Sequence, residues 1–297
     1  MSNIEIKHLF NYSRFPDGDT TRILFVLYIP LGVIILLLRI IVLLCAMLLG
    51  YILPETVPCR KFINKITCMA LGIAVTIENP KAKENVGVFV SNNLSVFDHV
   101  AVQSVTDAVM PVKTALEKIV KLNNFDFGSI SEPGRFKENV QKFILENETA
   151  AFFVPEEKPT NGKYLLKFKT YPFQLSTKVQ PICIQIERPF MNTGVTVFGS
   201  SYTYDALFFM LSPLTNFKIR FLESVERKSL SDEEFSEAVR QKIAACLKHP
   251  KLFRLTYFSK RNTAIPILVR LMGCYCGVTQ PAHQKCLLPR GHASGSS

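Results

Sequence analysis

The sequence predicts a mixed α/β domain preceded by an N-terminal membrane hairpin, and three observations lead there. The run Ile23 to Leu53 carries Arg39 as its only charge. Beyond it, short apolar runs of strand type alternate with helix-like stretches, the habit of an α/β domain. The 297 residues are 48% hydrophobic and only 20% charged, enough to bury a sizeable core, which excludes disorder as the main description.

Residues 1–22 are expected to be a short cytosolic leader. The apolar run that follows, residues 23–53, would reach roughly 46 Å as one straight helix, well beyond the ~30 Å hydrocarbon core of a bilayer, whereas two crossings need about forty residues. Pro30 and Gly32 can bend a helix, and Arg39 must snorkel or find a partner. A re-entrant hairpin with both ends on one side satisfies these constraints, with a single tilted span as the alternative. The flanking charges, Lys7, Arg14 and Arg22 before the run against Arg60, Lys61 and Lys65 after it, impose no strong orientation. The run is too long, and too far from the N-terminus, for a cleaved signal peptide.

Residues 60–248 carry the domain. Strands are expected at Val86 to Ser91, Ala108 to Lys113, Ala150 to Val154, Val179 to Ile186 and Phe217 to Leu222, with helices between them, one beginning near Phe97. Ser231 with Glu234 forms a capping box, and Phe235, Val239, Ile243 and Cys246 then fall on one helical face. Residues 249–297 read as a basic, disordered tail. The formal charge of +11 sits there: Ala238 to Ser297 holds ten Lys and Arg and no Asp or Glu. A charge confined to a terminal arm argues for a membrane-surface contact or an interaction tail, and against a nucleic-acid groove built into the core. There is no Trp, and the aromatics do not alternate with basic residues as a base-stacking surface needs. Eight cysteines without a CxxC pair fit a reduced, cytosol-facing environment. A zinc site from Cys274, Cys276, His283, Cys286 and His292 lacks the usual knuckle spacing. No metal or other cofactor is expected.

The segment Ser91-Asn92-Asn93-Leu94-Ser95-Val96-Phe97-Asp98-His99 stands where a buried strand gives way to a helix, the place where α/β folds present reactive side chains. It resembles the first motif of the glycerolipid acyltransferases, Asn-His-x-x-x-x-Asp, in which the His is the general base and the Asp orients it. Asp98 holds the Asp position and Asn93 the His position. An amide has no accessible pKa near neutrality, so the base is missing. His99 directly follows Asp98, and neighbouring residues on a helix point about 100° apart, so it should face away from the site.

Phe153-Val154-Pro155-Glu156-Glu157-Lys158 is similar to the family's Phe-Pro-Glu-Gly-Thr-Arg motif, which contacts a glycerol phosphate. Pro155 and Glu156 match, Glu157 replaces the Gly, and Lys158 is the nearest basic group. Of the family's Gly-x-x-Phe-x-x-Arg motif, Phe127, Gly128 and Arg135 lie in the right interval. Lys167 to Phe173 and Val179-Gln180-Pro181-Ile182 resemble the stretches that complete the set. The resemblance implies a glycerol-phosphate acyltransferase-like fold with Asn93 and Asp98 at the catalytic positions, and Glu156, Lys158 and Arg135 at the substrate.

The apolar segment before such a domain, together with Phe97-Asp98-His99, the Pro155 to Gly162 loop and Val179 to Pro189, looks like the ancient ubiquitous protein 1 family over most of Phe10 to Lys248. That resemblance implies a monotopic protein on the cytosolic face of the endoplasmic reticulum and of the lipid-droplet monolayer. It also implies partners in reticulum-associated degradation and ubiquitin conjugation. The family's ubiquitin-binding CUE module is not recognisable, since Pro250, Pro266, Pro281 and Pro289 break the remaining stretch. The sequence thus favours a lipid-surface adaptor with an impaired acyltransferase-like domain. Its rivals are a working acyl-CoA-dependent lysophospholipid or glycerol-phosphate acyltransferase, and a lipid sensor without chemistry.

Overall fold

The computed structural model describes residues 9–16, 18–53, 56–112, 124–130, 132–190 and 193–247. All of these fall in the first of two units into which the chain divides, Met1–Thr256 and Tyr257–Ser297. The basic tail and the Cys and His residues weighed as metal ligands lie outside the described residues.

Helix α1, Asp19–Ile52, opens the chain and is followed by α2, Val57–Leu71. The anticipated hairpin is corrected here: no turn interrupts α1, and Pro30 sits inside it. The reason is a seam. Phe25, Gly32, Arg39 and Ala46 are the buried residues of α1, spaced by seven, and a seven-residue period holds one face toward its support only if the helix is continuous. The residues that read as breakers are the docking points. Gly32 lets the backbone approach Leu211, and the Tyr28 hydroxyl donates to the Leu211 carbonyl at 2.7 Å. Around the rest of the circumference Ile23, Leu24, Leu27, Leu38 and Leu48 are exposed. Among the described residues α1 is the one helix long and apolar enough to cross a membrane.

After α2 the domain alternates as expected: β1 (Ile73–Glu78), β2 (Val88–Ser91), α3 (Asp98–Thr106), β3 (Met110–Pro111), β4 (Asn124–Phe125), α4 (Pro133–Asn147), β5 (Ala151–Phe153), β6 (Lys178–Glu187), α5 (Tyr202–Leu211), β7 (Thr215–Phe221), β8 (Val225–Glu226) and α6 (Asp232–Cys246). The main sheet runs β1-β7-β6-β2-β5, with β8 against one end of β6; β7 is antiparallel to β6, and the other neighbours in that order are parallel. Strand β1 is an addition to the strands anticipated from the sequence.

Side-chain alternation along these strands feeds two apolar layers, so both faces of the sheet are covered. Phe89, Phe152, Ile182 and Ile219 face one layer with Leu71, Ala101 and Phe209, and Leu36, Ile40 and Leu43 of α1 pack on its outside. Val88, Val90, Phe153 and Cys183 face the other, with Phe136 and Val140 of α4 and Phe235, Val239 and Ile243 of α6. Helix α6 starts on the predicted capping box, Ser231 and Glu234.

Candidate functional site

Strands β2 and β5 are parallel neighbours, Phe89 opposite Phe152, so their C-terminal ends deliver the Asn92–Phe97 turn and the Pro155–Gly162 loop to one edge of the sheet. The two segments join there: the Thr160 N–H donates to the Asn93 carbonyl at 2.9 Å, and the Thr160 hydroxyl bonds the Tyr164 carbonyl at 3.2 Å. Asn92 acts as a substitute piece of backbone. Its amide donates to the Ile184 carbonyl at 2.9 Å and accepts the Ile184 N–H at 2.8 Å, pinning the turn to the middle of β6.

Asn93 and Asp98 are both buried. The Asp98 carboxylate turns back along the chain and accepts the N–H groups of Leu94 at 2.6 Å and Ser95 at 3.0 Å, together with the Ser95 hydroxyl. Such local side-chain to backbone bonds fix a turn. Asp98 therefore serves as a clasp for residues 94–98. His99 follows it on α3 and is half-buried.

Glu156 is 5% exposed, and neither carboxyl oxygen reaches hydrogen-bond geometry with a partner. Burial pushes its carboxyl well above the usual carboxylate range; the nearby backbone N–H of Asn93 and the Arg240 charge offset this only in part, and the Asp98 charge adds to it. The neutral acid is the form that this environment favours. Lys158 stands exposed on the same loop. Arg135, on the first turn of α4, is exposed and paired with Glu132 at 3.4 Å. The structure thus brings Asn93, Asp98 and Glu156 together and leaves Lys158 and Arg135 at the surface. An amide, a hydrogen-bonded carboxylate and a buried acid can bind polar groups, but none of them sets an imidazole against an acceptor hydroxyl.

A part of the site that sequence reasoning missed is the segment ahead of α1. Residues 9–14 are strapped across this edge: the Asn161 N–H donates to the Leu9 carbonyl at 3.0 Å, Phe198 N–H to Asn11 at 2.8 Å and Gly194 N–H to Arg14 at 3.2 Å. Leu9 is fully buried and packs with Phe10 and Leu166. The strap forms one wall of an open groove of about 1010 Å³, whose other walls include Leu94, Thr160 to Tyr164 and Ile184 to Glu187. The signal available in the sequence was Leu9-Phe10, an adjacent apolar pair in the leader.

No protein-family model matches the chain. It is 29% identical over 244 residues to the Homo sapiens lipid droplet-regulating VLDL assembly factor AUP1, covering 80% of this chain and 58% of the relative. The Caenorhabditis elegans AUP1 homolog is 28% identical over 251 residues, covering 83% and 64%, and the Xenopus tropicalis protein 27% over 277 residues, covering 90% and 68%. The chain is thus similar to the AUP1 proteins over most of its own length. It spans about three fifths of the human protein's length. Among solved structures, the 1-acyl-sn-glycerophosphate acyltransferase PlsC from Thermotoga maritima superposes with a TM-score of 0.52 at 14% identity, covering 75% of this chain and 98% of that one. That likeness concerns the fold: this chain has a PlsC-like α/β architecture behind a long apolar helix.

Proposed function

We propose that this chain is a monotopic protein of the cytosolic surface of the endoplasmic reticulum and lipid droplets, whose acyltransferase-like domain no longer transfers acyl groups and acts as an adaptor in lipid-droplet regulation. The observation that carries the reading is the way α1 lies on the domain. Its seam runs from Phe25 to Ala46, roughly 30 Å at 1.5 Å per residue, about the thickness of the hydrocarbon core. A helix supported by a polar domain over that whole length cannot cross a bilayer without dragging the domain in. Lying in the interface, it offers its exposed leucines and isoleucines to lipid. The monolayer of a droplet admits such a helix as readily as a bilayer leaflet does.

The loss of acyl transfer rests on the amide at position 93 and on the use of Asp98 as a turn clasp. Partners in reticulum-associated degradation and ubiquitin conjugation belong to the same proposal and rest on the family resemblance, as does the lipid-droplet role on the names of the relatives.

Two measurements test it. Purified protein given acyl-CoA and lysophosphatidic acid should show no turnover; turnover that disappears in Asp98→Asn would overturn the adaptor reading in favour of an active acyltransferase, whose acceptor the groove beside Leu94 would hold. In flotation with phosphatidylcholine vesicles, the triple substitution of Leu27, Leu38 and Leu48 by Ser should abolish binding while the melting temperature stays unchanged, because all three are exposed. Binding that survives it would remove α1 as the anchor.

A further inference from the structure

At the N-terminal end of α1 the structure concentrates positive charge around a small cavity. Phe25 and Tyr28 of α1, Phe208 and Leu211 of α5, Arg14 of the strap and Arg188 just beyond β6 line it, with Thr193, Gly194 and Ser212 completing the wall. Arg188 is 8% exposed, and its Nη1 donates to the Thr193 hydroxyl at 2.8 Å. Its Nε and Nη2 are buried with no hydrogen-bond partner, and so is Nη1 of Arg14, while the flat faces of the two guanidiniums lie over the rings of Phe209 and Phe208. Arg14 is satisfied on its other side by Asp205 and Ser200. Arg39 adds a third guanidinium close enough, with Arg14, to depress the ionisation of Arg188, whose pKa burial pushes down to about 10. That value leaves it charged at neutral pH. Asp205 is the carboxylate that faces these arginines among the described residues, so the charges do not balance.

Free N–H groups on Nε and Nη2 of one guanidinium form the edge that grips two oxygens of a carboxylate or phosphate. Leaving charged donors buried and unmade costs several kcal/mol each in general, which selects for an anion. The cavity is small, about 10 Å³. It therefore admits one terminal oxygen of an oxyanion and little else. Its remaining wall is apolar, and it adjoins the helix that lies on lipid.

We propose that Arg188, with Arg14, forms a recognition site for a terminal phosphate, presented by a phosphomonoester lipid at the surface on which α1 rests. This rests on the membrane reading above and deepens it. A phosphodiester headgroup carries an extra substituent on the phosphate that the narrow cavity does not accommodate. Selectivity for phosphatidic acid over phosphatidylglycerol is thus the signature of the site and distinguishes it from general attraction between a basic protein and acidic membranes.

The experiment is flotation of the full chain with vesicles of phosphatidylcholine alone, or containing phosphatidic acid or phosphatidylglycerol at equal surface charge. Phosphatidic acid should tighten binding about tenfold relative to phosphatidylglycerol, as one fork of charge-assisted bonds would give. Arg188→Gln should abolish that preference while leaving binding to phosphatidylcholine intact. Should Arg188→Gln fail to fold, Arg188→Lys keeps the charge without the fork and should still lose most of the preference. Equal binding to the two acidic lipids, or a preference that survives both variants, overturns the site. Loss of all vesicle binding in the wild type overturns the membrane reading instead. Inorganic phosphate supplies the last arm: a rise in the wild-type melting temperature that Arg188→Gln lacks, with no lipid preference, would assign the site to the soluble anion and overturn the lipid source.

Discussion

Two regions of this molecule bury ionisable groups, and they deal with them in opposite ways. At the sheet edge, the Glu156 carboxyl oxygens meet no donor in good hydrogen-bond geometry, but a carboxyl can take up a proton, and burial favours that neutral form. Beside α1, Arg14, Arg39 and Arg188 cannot escape so, because even a depressed guanidinium stays charged at neutral pH. Arg39 is met by the carbonyls of Met210 and Ser212 at 2.7 and 2.6 Å and of Pro213 at 2.7 Å. Arg188 is met by Thr193 and otherwise left with open donors. The sheet edge has quietened its charge, and the region beside the long apolar helix has kept it.

The contrast can be broken most forcefully at Arg39. Arg39→Leu leaves three buried carbonyls without their donor and should destabilise the domain by on the order of 5 kcal/mol, read as a fall in melting temperature with α1 becoming sensitive to protease. A wild-type melting temperature would mean that the seam does not depend on this charge. Next in size is Asp205→Asn, which removes the carboxylate opposite Arg14 and should cost about 3 kcal/mol. Added phosphate should restore part of that loss if the arginine cluster accepts anions, and should do nothing if Arg14 alone was affected.

The smallest effect sharpens the other side. Because the folded state holds the Glu156 proton more tightly than the unfolded chain does, the native state binds more protons between the two pKa values. Stability should therefore fall as pH rises above about 4.3, by about 1.4 kcal/mol for each unit by which folding raises the pKa. Glu156→Gln should flatten that slope and be the more stable form at pH 8, measured by urea unfolding across the pH range. Equal slopes would mean that Glu156 ionises freely.

What could be read in the sequence was local. The capping box at Ser231 and Glu234 needs only four residues, and it stands where expected. Buried strands β2, β5 and β6 announced themselves as apolar runs because both faces of the sheet are covered. Strand β1 did not, since Thr76 and Ile77 are exposed at the edge of the sheet and blur the pattern. The hairpin was misread for a physical reason: the partners of Gly32 and Arg39 lie on α5 and the turn after it, far along the chain, so a docking glycine and a docking charge looked like interruptions. At the site, the order of motifs pointed to Asn93, Asp98 and Glu156, which stand at one edge of the sheet. Nothing in the residue types revealed that Asn92 would anchor the turn to Ile184, or that Arg188, inside a recognised stretch, would end with two open donors.

Gly72 carries a consequence of its own. It closes α2 in a left-handed conformation, φ 65°, and the space where a side chain would stand is filled by the guanidinium of Arg39. One absent methyl group thus works as the keyhole through which the apolar helix is bolted to its domain. A domain bolted in this way cannot swivel on the helix: whichever flank lies beside α1 stays there, and any surface that receives the helix meets the same profile.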